Sequence, residues 1–325
     1  MGLIFDILYR RVSHNRYHKQ GKPLMKRMLV TGGAGFIGSH VCELLLEHGF
    51  LVRVLDNLST GRKEFLPNDA NLEFIHGDIT DKSTCKSACQ DVEGVFHLAA
   101  MSKVLPSLEN IDMVEFCTQH NVVGTQNILL AACKEKVKKV VYSASSTYYG
   151  NSLAPHRENM LPNCQTPYAL TKYIGEQYCE LFDSLYNLPT ISLRYFQVCG
   201  PRQPCEGNYA VVAGIFIRQM RAGMPLTIHG DGSQRRDFVH VRDIAKANIK
   251  AYESEPHRLA VNIGTGISHS IKELADMISS NQILGLPQRK VDLLETKADL
   301  SLCKSLFKWT PKITFEEMVA EMLLV

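Results

Sequence analysis

The stretch Arg27-Met-Leu-Val-Thr31-Gly-Gly-Ala-Gly35-Phe-Ile-Gly38 decides the fold. Five strand-forming residues lead into a glycine-rich turn, and an amphipathic helical pattern opens at Phe36. By chance, a chain with 22 glycines in 325 residues shows a Gly-x-x-Gly-x-x-Gly spacing about one time in ten. The strand before and the helix after raise the match well above that background. Each glycine then has a mechanical role, with a tight turn at Gly32, close backbone approach to a diphosphate at Gly35, and close helix packing at Gly38.

Outward from this motif, short β-branched runs alternate with amphipathic stretches, which predicts a doubly wound parallel sheet, an α/β fold of Rossmann type. Strands are expected at 27–31, 51–56, 72–76, 94–99, 138–143 and 189–195. Helical spacing is clearest over 36–48, 111–134 and 168–186. Past Phe196 the regularity weakens at a breaker cluster of Gly200, Pro201, Pro204 and Gly207. We therefore expect a nucleotide-binding domain over 25–195 and a smaller substrate lobe over 196–325, parts of which return to the sheet. Helices near 210–221 and 241–252 belong to that second part.

Composition narrows the function classes. At 45% apolar and 21% charged residues the chain reads as globular. Its longest apolar run, counting glycine, covers 209–217, well short of the roughly 18 residues that cross a bilayer. The net charge of +3 is +4 from residues 1–24, where five Lys/Arg face one Asp, and −1 from the remainder, so nucleic acid is not the expected partner. That opening segment places its apolar run ahead of its basic residues, the reverse of a secretory signal, and is expected to be a dispensable extension. Ten cysteines without a Cys-x-x-Cys pair predict reduced thiols, a cytoplasmic location and no metal site.

Asp56 closes the second strand 18 residues beyond Gly38, where a carboxylate accepts hydrogen bonds from an adenosine ribose and repels a 2′-phosphate. NAD is accordingly expected over NADP. Tyr168 and Lys172 lie four residues apart on one helical face. Composition alone produces such a pair about once per chain, and its ordinary meaning is two side chains lying along a helix. Ser145 ends a strand, where open sheets of this class bind ligands. A phenol of pKa about 10 needs a shift of roughly 3 units to act as a base near neutrality, about 4 kcal/mol. One cation about 4 Å away at an effective dielectric near 20 supplies that much, and Lys172 and an oxidised nicotinamide are two such cations. Ser145 would hold the substrate oxygen while Tyr168 exchanges its proton.

Together these residues resemble the extended short-chain dehydrogenase/reductase family, specifically nucleotide-sugar epimerases of the UDP-glucose 4-epimerase type. Further landmarks are Asp56-Asn57-Leu58-Ser59, Gly77-Asp78-Ile79, His97-Leu98-Ala99-Ala100, Asn121-Val122-x-Gly124-Thr125, Arg194-Tyr195-Phe196, Arg236-Asp237-Phe238, Asn262-x-Gly264 and Ala298-Asp299. The resemblance runs from about Met25 to the C-terminus. It implies that Phe36, Ile37, Asn57, Ser59, Asp78, Ile79 and Ala99 join the glycines and Asp56 around NAD. It also implies a UDP-sugar substrate, a homodimer built on the helices at 111–134 and 168–186, and two arginines, Arg236 and Arg289, clamping the diphosphate.

Departures from the family pattern carry information. Gln197 stands where Asn usually contacts the sugar nucleotide, and Cys199 replaces the usual Tyr. Relatives that eliminate water or carbon dioxide carry Glu, often after Asp, where this chain has Ser146 and Thr147, which disfavours those reactions. Thr296 matches the position that sets the room beside the sugar 2-substituent, and its small size implies that N-acetylhexosamines enter. The implied reaction is a 4-epimerisation of UDP-hexoses through a 4-keto sugar, with UDP-glucuronate 4-epimerisation or a non-catalytic NAD-binding regulator as alternatives.

Overall fold

Strand β1 (Arg27–Thr31) enters the glycine turn and leaves it as helix α1 (Phe36–Glu47), which returns the chain to β2 (Leu51–Asp56) and β3 (Leu72–His76). The computed structural model describes residues 25–102, 104–206, 210–279, 282–288 and 292–324. The expected extension at 1–24 and Arg289 lie outside these residues.

The chain continues through α2 (Lys82–Cys89), β4 (Gly94–His97), α3 (Val104–Glu109) and α4 (Asp112–Thr118). A π-helical segment (Gln119–Gly124) joins α4 to α5 (Thr125–Lys134), so the expected single helix contains a locally widened stretch. Next come β5 (Lys139–Ser145), α6 (Pro167–Tyr186), β6 (Thr190–Tyr195) and β7 (Gln197–Cys199). The C-terminal part comprises α7 (Val212–Arg221), β8 (Leu226–His229), β9 (Arg235–Arg236), β10 (Phe238–His240), α8 (Val241–Glu253), β11 (Leu259–Ile263), β12 (His269–Ser270), α9 (Ile271–Ile278), β13 (Ile283–Leu286), α10 (Ser301–Phe307) and α11 (Phe315–Leu324).

Seven strands form one parallel sheet in the order β11-β6-β5-β4-β1-β2-β3. Both faces are covered, which is why the strands read as nearly continuous apolar runs. Alternation along β1 sends Met28 and Val30 to one core, with Val41 and Leu45 of α1 and Ile244 of α8. Leu29 goes to the other, with Ile128 of α5 and Phe182 of α6. A third core, around Phe216, Leu226, Phe238 and Leu274, holds the C-terminal lobe together.

The chain runs outward through β2 and β3, then crosses back to place β4 on the other side of β1. A crevice opens where the strand order reverses, at the C-terminal ends of β1 and β4. Helix α6 is fixed by local chemistry: Thr166 accepts the Ala169 N–H at 3.0 Å, Pro167 occupies the first turn, and Asn187 ends the helix in the left-handed region. Helix α1, in contrast, has no side-chain cap, and its first N–H groups face the crevice end of β1.

Candidate active site

The glycine turn is tight enough to explain its composition. Gly32 has φ +69°, and a Cβ there would lie 2.7 Å from the Ala99 nitrogen. A Cβ on Gly38 would fall 2.1 Å from the Gly32 carbonyl oxygen, so α1 approaches the turn as closely as backbone allows. Asp56 accepts the Ala34 N–H at 3.0 Å and the Leu58 N–H at 2.8 Å. Burial pushes its carboxyl upward, and those two donors oppose the shift. Asn57 donates to Asp78 at 2.6 Å and accepts the Ser59 N–H at 3.0 Å, so the loop after β2 is braced from the end of β3.

A single cavity of about 1140 Å³ runs from this turn to the C-terminal lobe. Gly32, Gly35, Phe36, Ile37, Gly38, Asp56, Asn57, Ser59, Ile79 and Ala99 line one end; Ser145, Tyr168 and Lys172 the middle; Gln197, Arg236 and Thr296 the other. Asp78 is absent from the lining and acts on Asn57 instead.

Strand β5 ends on Ser145, whose hydroxyl lies 2.9 Å from that of Thr147 and hydrogen-bonds Tyr168. Burial pushes the Tyr168 phenol up to about 12, against the Ser145 bond that lowers it. Burial also brings the Lys172 amine down to about 7. Desolvation disfavours the charged form of each group, so charge on this pair has to be supported by its neighbours. The Lys172 nitrogen sits 4.3 Å above the centre of the Tyr142 ring.

Beneath the pair lies a buried hydrogen-bond chain. Thr31 donates to His97 Nδ1 at 2.7 Å, His97 Nε2–H donates to Thr125 at 3.0 Å, and Thr125 donates to the Asn121 carbonyl at 2.7 Å. This tautomer follows from the Thr125 bond. Burial, assisted by Lys172, lowers the imidazole to about 3. One turn beyond Lys172, Glu176 receives Arg194 in bidentate fashion at 2.7 and 3.1 Å, and also the Tyr148 hydroxyl. The remaining Arg194 nitrogen reaches the Tyr149 hydroxyl at 2.6 Å and the Glu158 carbonyl at 3.0 Å.

In the C-terminal lobe, the Arg236 guanidinium faces the cavity already paired with Asp292 at 2.6 Å and with the Leu293 carbonyl at 2.6 Å. A diphosphate clamp built on it has to share or displace Asp292. The Thr296 hydroxyl accepts the Asp237 N–H at 3.4 Å, and the Gln197 N–H donates to the Asp237 carbonyl at 3.0 Å. Among the described residues, the acids lining the cavity are Asp56, Glu206 and Asp292; none belongs to the 145–147 segment or to α6.

The model of the NAD dependent epimerase/dehydratase family matches residues 28–264. This chain belongs to that family. NAD is the family's cofactor, and the glycine cradle and the ribose-side carboxylate Asp56 fit such a dinucleotide. A putative UDP-glucose 4-epimerase of Methanocaldococcus jannaschii is 40% identical, over 89% of this chain and 95% of that one. A UDP-N-acetyl-alpha-D-glucosaminuronate decarboxylase of Bacillus cytotoxicus is 34% identical over 92% and 97%. Among solved structures, the UDP-N-acetylglucosamine 4-epimerase of Methanobrevibacter ruminantium M1, in complex with UDP-N-acetylmuramic acid, superposes with a TM-score of 0.86 at 35% identity, covering 92% and 97%. The chain is therefore a nucleotide-sugar enzyme of the epimerase/dehydratase family.

Sequence reasoning assigned no role to Asn121, Tyr142 or Glu176 in this epimerase/dehydratase site. Asn121 sits in the π-helical segment, accepts the Met101 N–H at 2.8 Å and donates to the Thr171 hydroxyl at 3.1 Å, next to Lys172. The available signal for Glu176 was its place four residues after Lys172. Tyr142 carried none, since a tyrosine in a buried strand reads as core.

Proposed function

We propose that this enzyme interconverts the C4 epimers of UDP-hexoses through a 4-keto sugar, with Ser145, Tyr168 and Lys172 as its catalytic residues. The observation that carries this reading is the Ser145–Tyr168–Lys172 group in a cavity continuous with the glycine cradle, with hydroxyls rather than carboxylates at 146 and 147.

Gly32, Gly35 and the first turn of α1 would hold the NAD diphosphate, Asp56 the adenosine ribose, and Asn57, Ser59, Ile79 and Ala99 the adjoining walls. When bound, NAD supplies a second positive charge and both accepts and returns the hydride at C4. Ser145 orients the C4 oxygen, and Tyr168 takes the hydroxyl proton and gives it back. Lowering Tyr168 from about 12 towards 7 needs about 7 kcal/mol, and one cation near 4 Å contributes about 4. Lys172 must therefore be charged, and alone it falls short. Inversion requires the keto sugar to turn over between the two transfers, for which the wide cavity leaves room.

The small Thr296 supports entry of N-acetylhexosamines beside plain hexoses. Arg194 is wholly committed to Glu176, Tyr149 and Glu158, so it offers no free charge to a uronate carboxylate. Exposed Leu170, Leu181 and Leu185 form an apolar stripe on α6 that supports a homodimer.

The test is separate incubation with UDP-galactose, UDP-N-acetylgalactosamine and UDP-glucuronate, following C4 stereochemistry by NMR. Inversion of the first two is expected, with a loss of at least about 100-fold in Tyr168→Phe. Thr296→Tyr should lose the acetylated sugar selectively. Release of carbon dioxide or water in place of inversion would overturn the epimerase reading, and stoichiometric NAD binding without turnover would favour a regulator.

A further inference from the structure

Lys172 is buried, and the polar side chains of its neighbours Glu176 and Ser145 are engaged elsewhere. Glu176, on the same face of α6, gives both carboxylate oxygens to Arg194 and one also to Tyr148. Ser145 takes the Tyr168 hydroxyl. Among the described residues no carboxylate forms an ion pair with the Lys172 nitrogen; Cys117 of α4, Cys179 and Glu176 of α6 and His97 of β4 are the titratable groups that act on it or respond to it.

What lies against the nitrogen is an aromatic face. The Tyr142 ring centre is 4.3 Å away, within cation–π range. Tyr142 is fully buried in β5, and it reaches under α6 because residue 175 is glycine: a Cβ there would lie 2.2 Å from the Tyr142 hydroxyl oxygen. That hydroxyl donates to the carbonyl of Lys172 itself at 3.2 Å. One side chain thus touches both the head group and the backbone of the lysine.

We propose that Tyr142 is a positioning residue for Lys172, its ring seating the ammonium. This rests on the reading that a charged Lys172 acidifies Tyr168. A ring quadrupole attracts the ammonium and not the neutral amine, and the attraction is strongest where water is excluded. Tyr142 therefore keeps charge on a lysine that burial would otherwise neutralise.

The experiment weakens the π face while keeping the ring, with Tyr142→Phe and then the same position carrying phenylalanine with one, two and three ring fluorines, and removes the ring in Tyr142→Leu. In NAD-loaded protein with isotope-labelled lysine, the Lys172 resonance, assigned by its loss in Lys172→Met, is titrated by NMR. Tyr142→Phe should keep the parent midpoint within a few tenths of a pH unit. Successive fluorines should lower it stepwise, the third by about one unit, a tenfold loss in proton affinity, as should Tyr142→Leu. Turnover at neutral pH should fall in the same order, about three- to tenfold, recover at lower pH, and leave KM for the sugar nucleotide unchanged. A midpoint that ignores fluorination overturns the proposal, even if Tyr142→Leu fails to fold. If the midpoint moves while Lys172→Met turns over as fast as the parent, the seat stands and the catalytic reading fails.

Discussion

Gly38→Ala adds one methyl group where, among the described glycines, a Cβ would meet its closest neighbour. The new carbon would lie 2.1 Å from the Gly32 carbonyl oxygen, 2.7 Å from Gly33 Cα and 2.8 Å from the Gly32 carbonyl carbon. All three are backbone atoms, so no rotamer relieves the overlap, and ordinary contact requires the turn to move by more than about 1 Å. The turn has nowhere to go: Gly32 N donates to the Leu55 carbonyl at 2.8 Å, and the Gly32 α-carbon already lies close against Ala99. Alanine gains about 1 kcal/mol over glycine in helix propensity, while overpacking costs about 1–3 kcal/mol and sometimes more. A net loss of up to about 2 kcal/mol follows, lowering Tm by as much as roughly 8 °C at about 2–4 °C per kcal/mol. NAD affinity should suffer more, by about 100-fold, because the displaced turn carries the groups that meet the diphosphate. Calorimetric NAD titration together with thermal melts measures both. Gly49→Ala is the control: its φ is +78° with nothing within 4 Å, so it should cost about 1–2 kcal/mol of backbone strain and leave NAD affinity intact. Parent-like affinity and Tm in Gly38→Ala would refute the packing argument.

Two further perturbations reach the machinery beneath the site. His97 is held near 3 in the fold against about 6.5 unfolded, so below 6.5 the unfolded chain binds a proton that the folded one refuses. Its contribution is complete above 6.5 and is lost as pH falls towards 3, at up to about 1.4 kcal/mol per pH unit; urea melts between pH 4 and 6.5 should show a shallower fall for His97→Gln, and parallel curves would reject a buried neutral imidazole. Arg194→Met strands the buried Glu176 carboxylate and should cost about 3–5 kcal/mol, most of it recovered in the double variant with Glu176→Met. A double variant no more stable than the single would show that the two side chains are not coupled.

Several elements were legible because their causes are local. The strands Arg27–Thr31, Leu51–Asp56 and Leu72–His76 are found end for end as read, since apolar alternation, β-branching and bounding turns sit within each segment. The glycine turn and the four-residue spacing of Tyr168 and Lys172 follow equally from local geometry. Other features depend on neighbours distant in the chain. Some return of the C-terminal part to the sheet was expected, but the five residues of β11 take that place only because β6 offers a parallel edge over Ile191–Tyr195. The widened helix at Gln119–Gly124 shares its apolar spacing with ordinary α-helix, and its Asn121 is placed by contacts with Met101 and Thr171.

What the sequence determined by itself is the class of sheet, the dinucleotide turn and the residue types available for proton transfer, because backbone sterics and side-chain periodicity act over a few residues. Only the tertiary structure decided what surrounds those residues: burial pushes the Tyr168 phenol up and the Lys172 amine down, Arg236 is tied to Asp292, and Glu176 is tied to Arg194. Desolvation and ion pairing depend on what is packed against a group from every direction, and β4, β5, α4 and α6 meet around Lys172 only once the sheet is assembled.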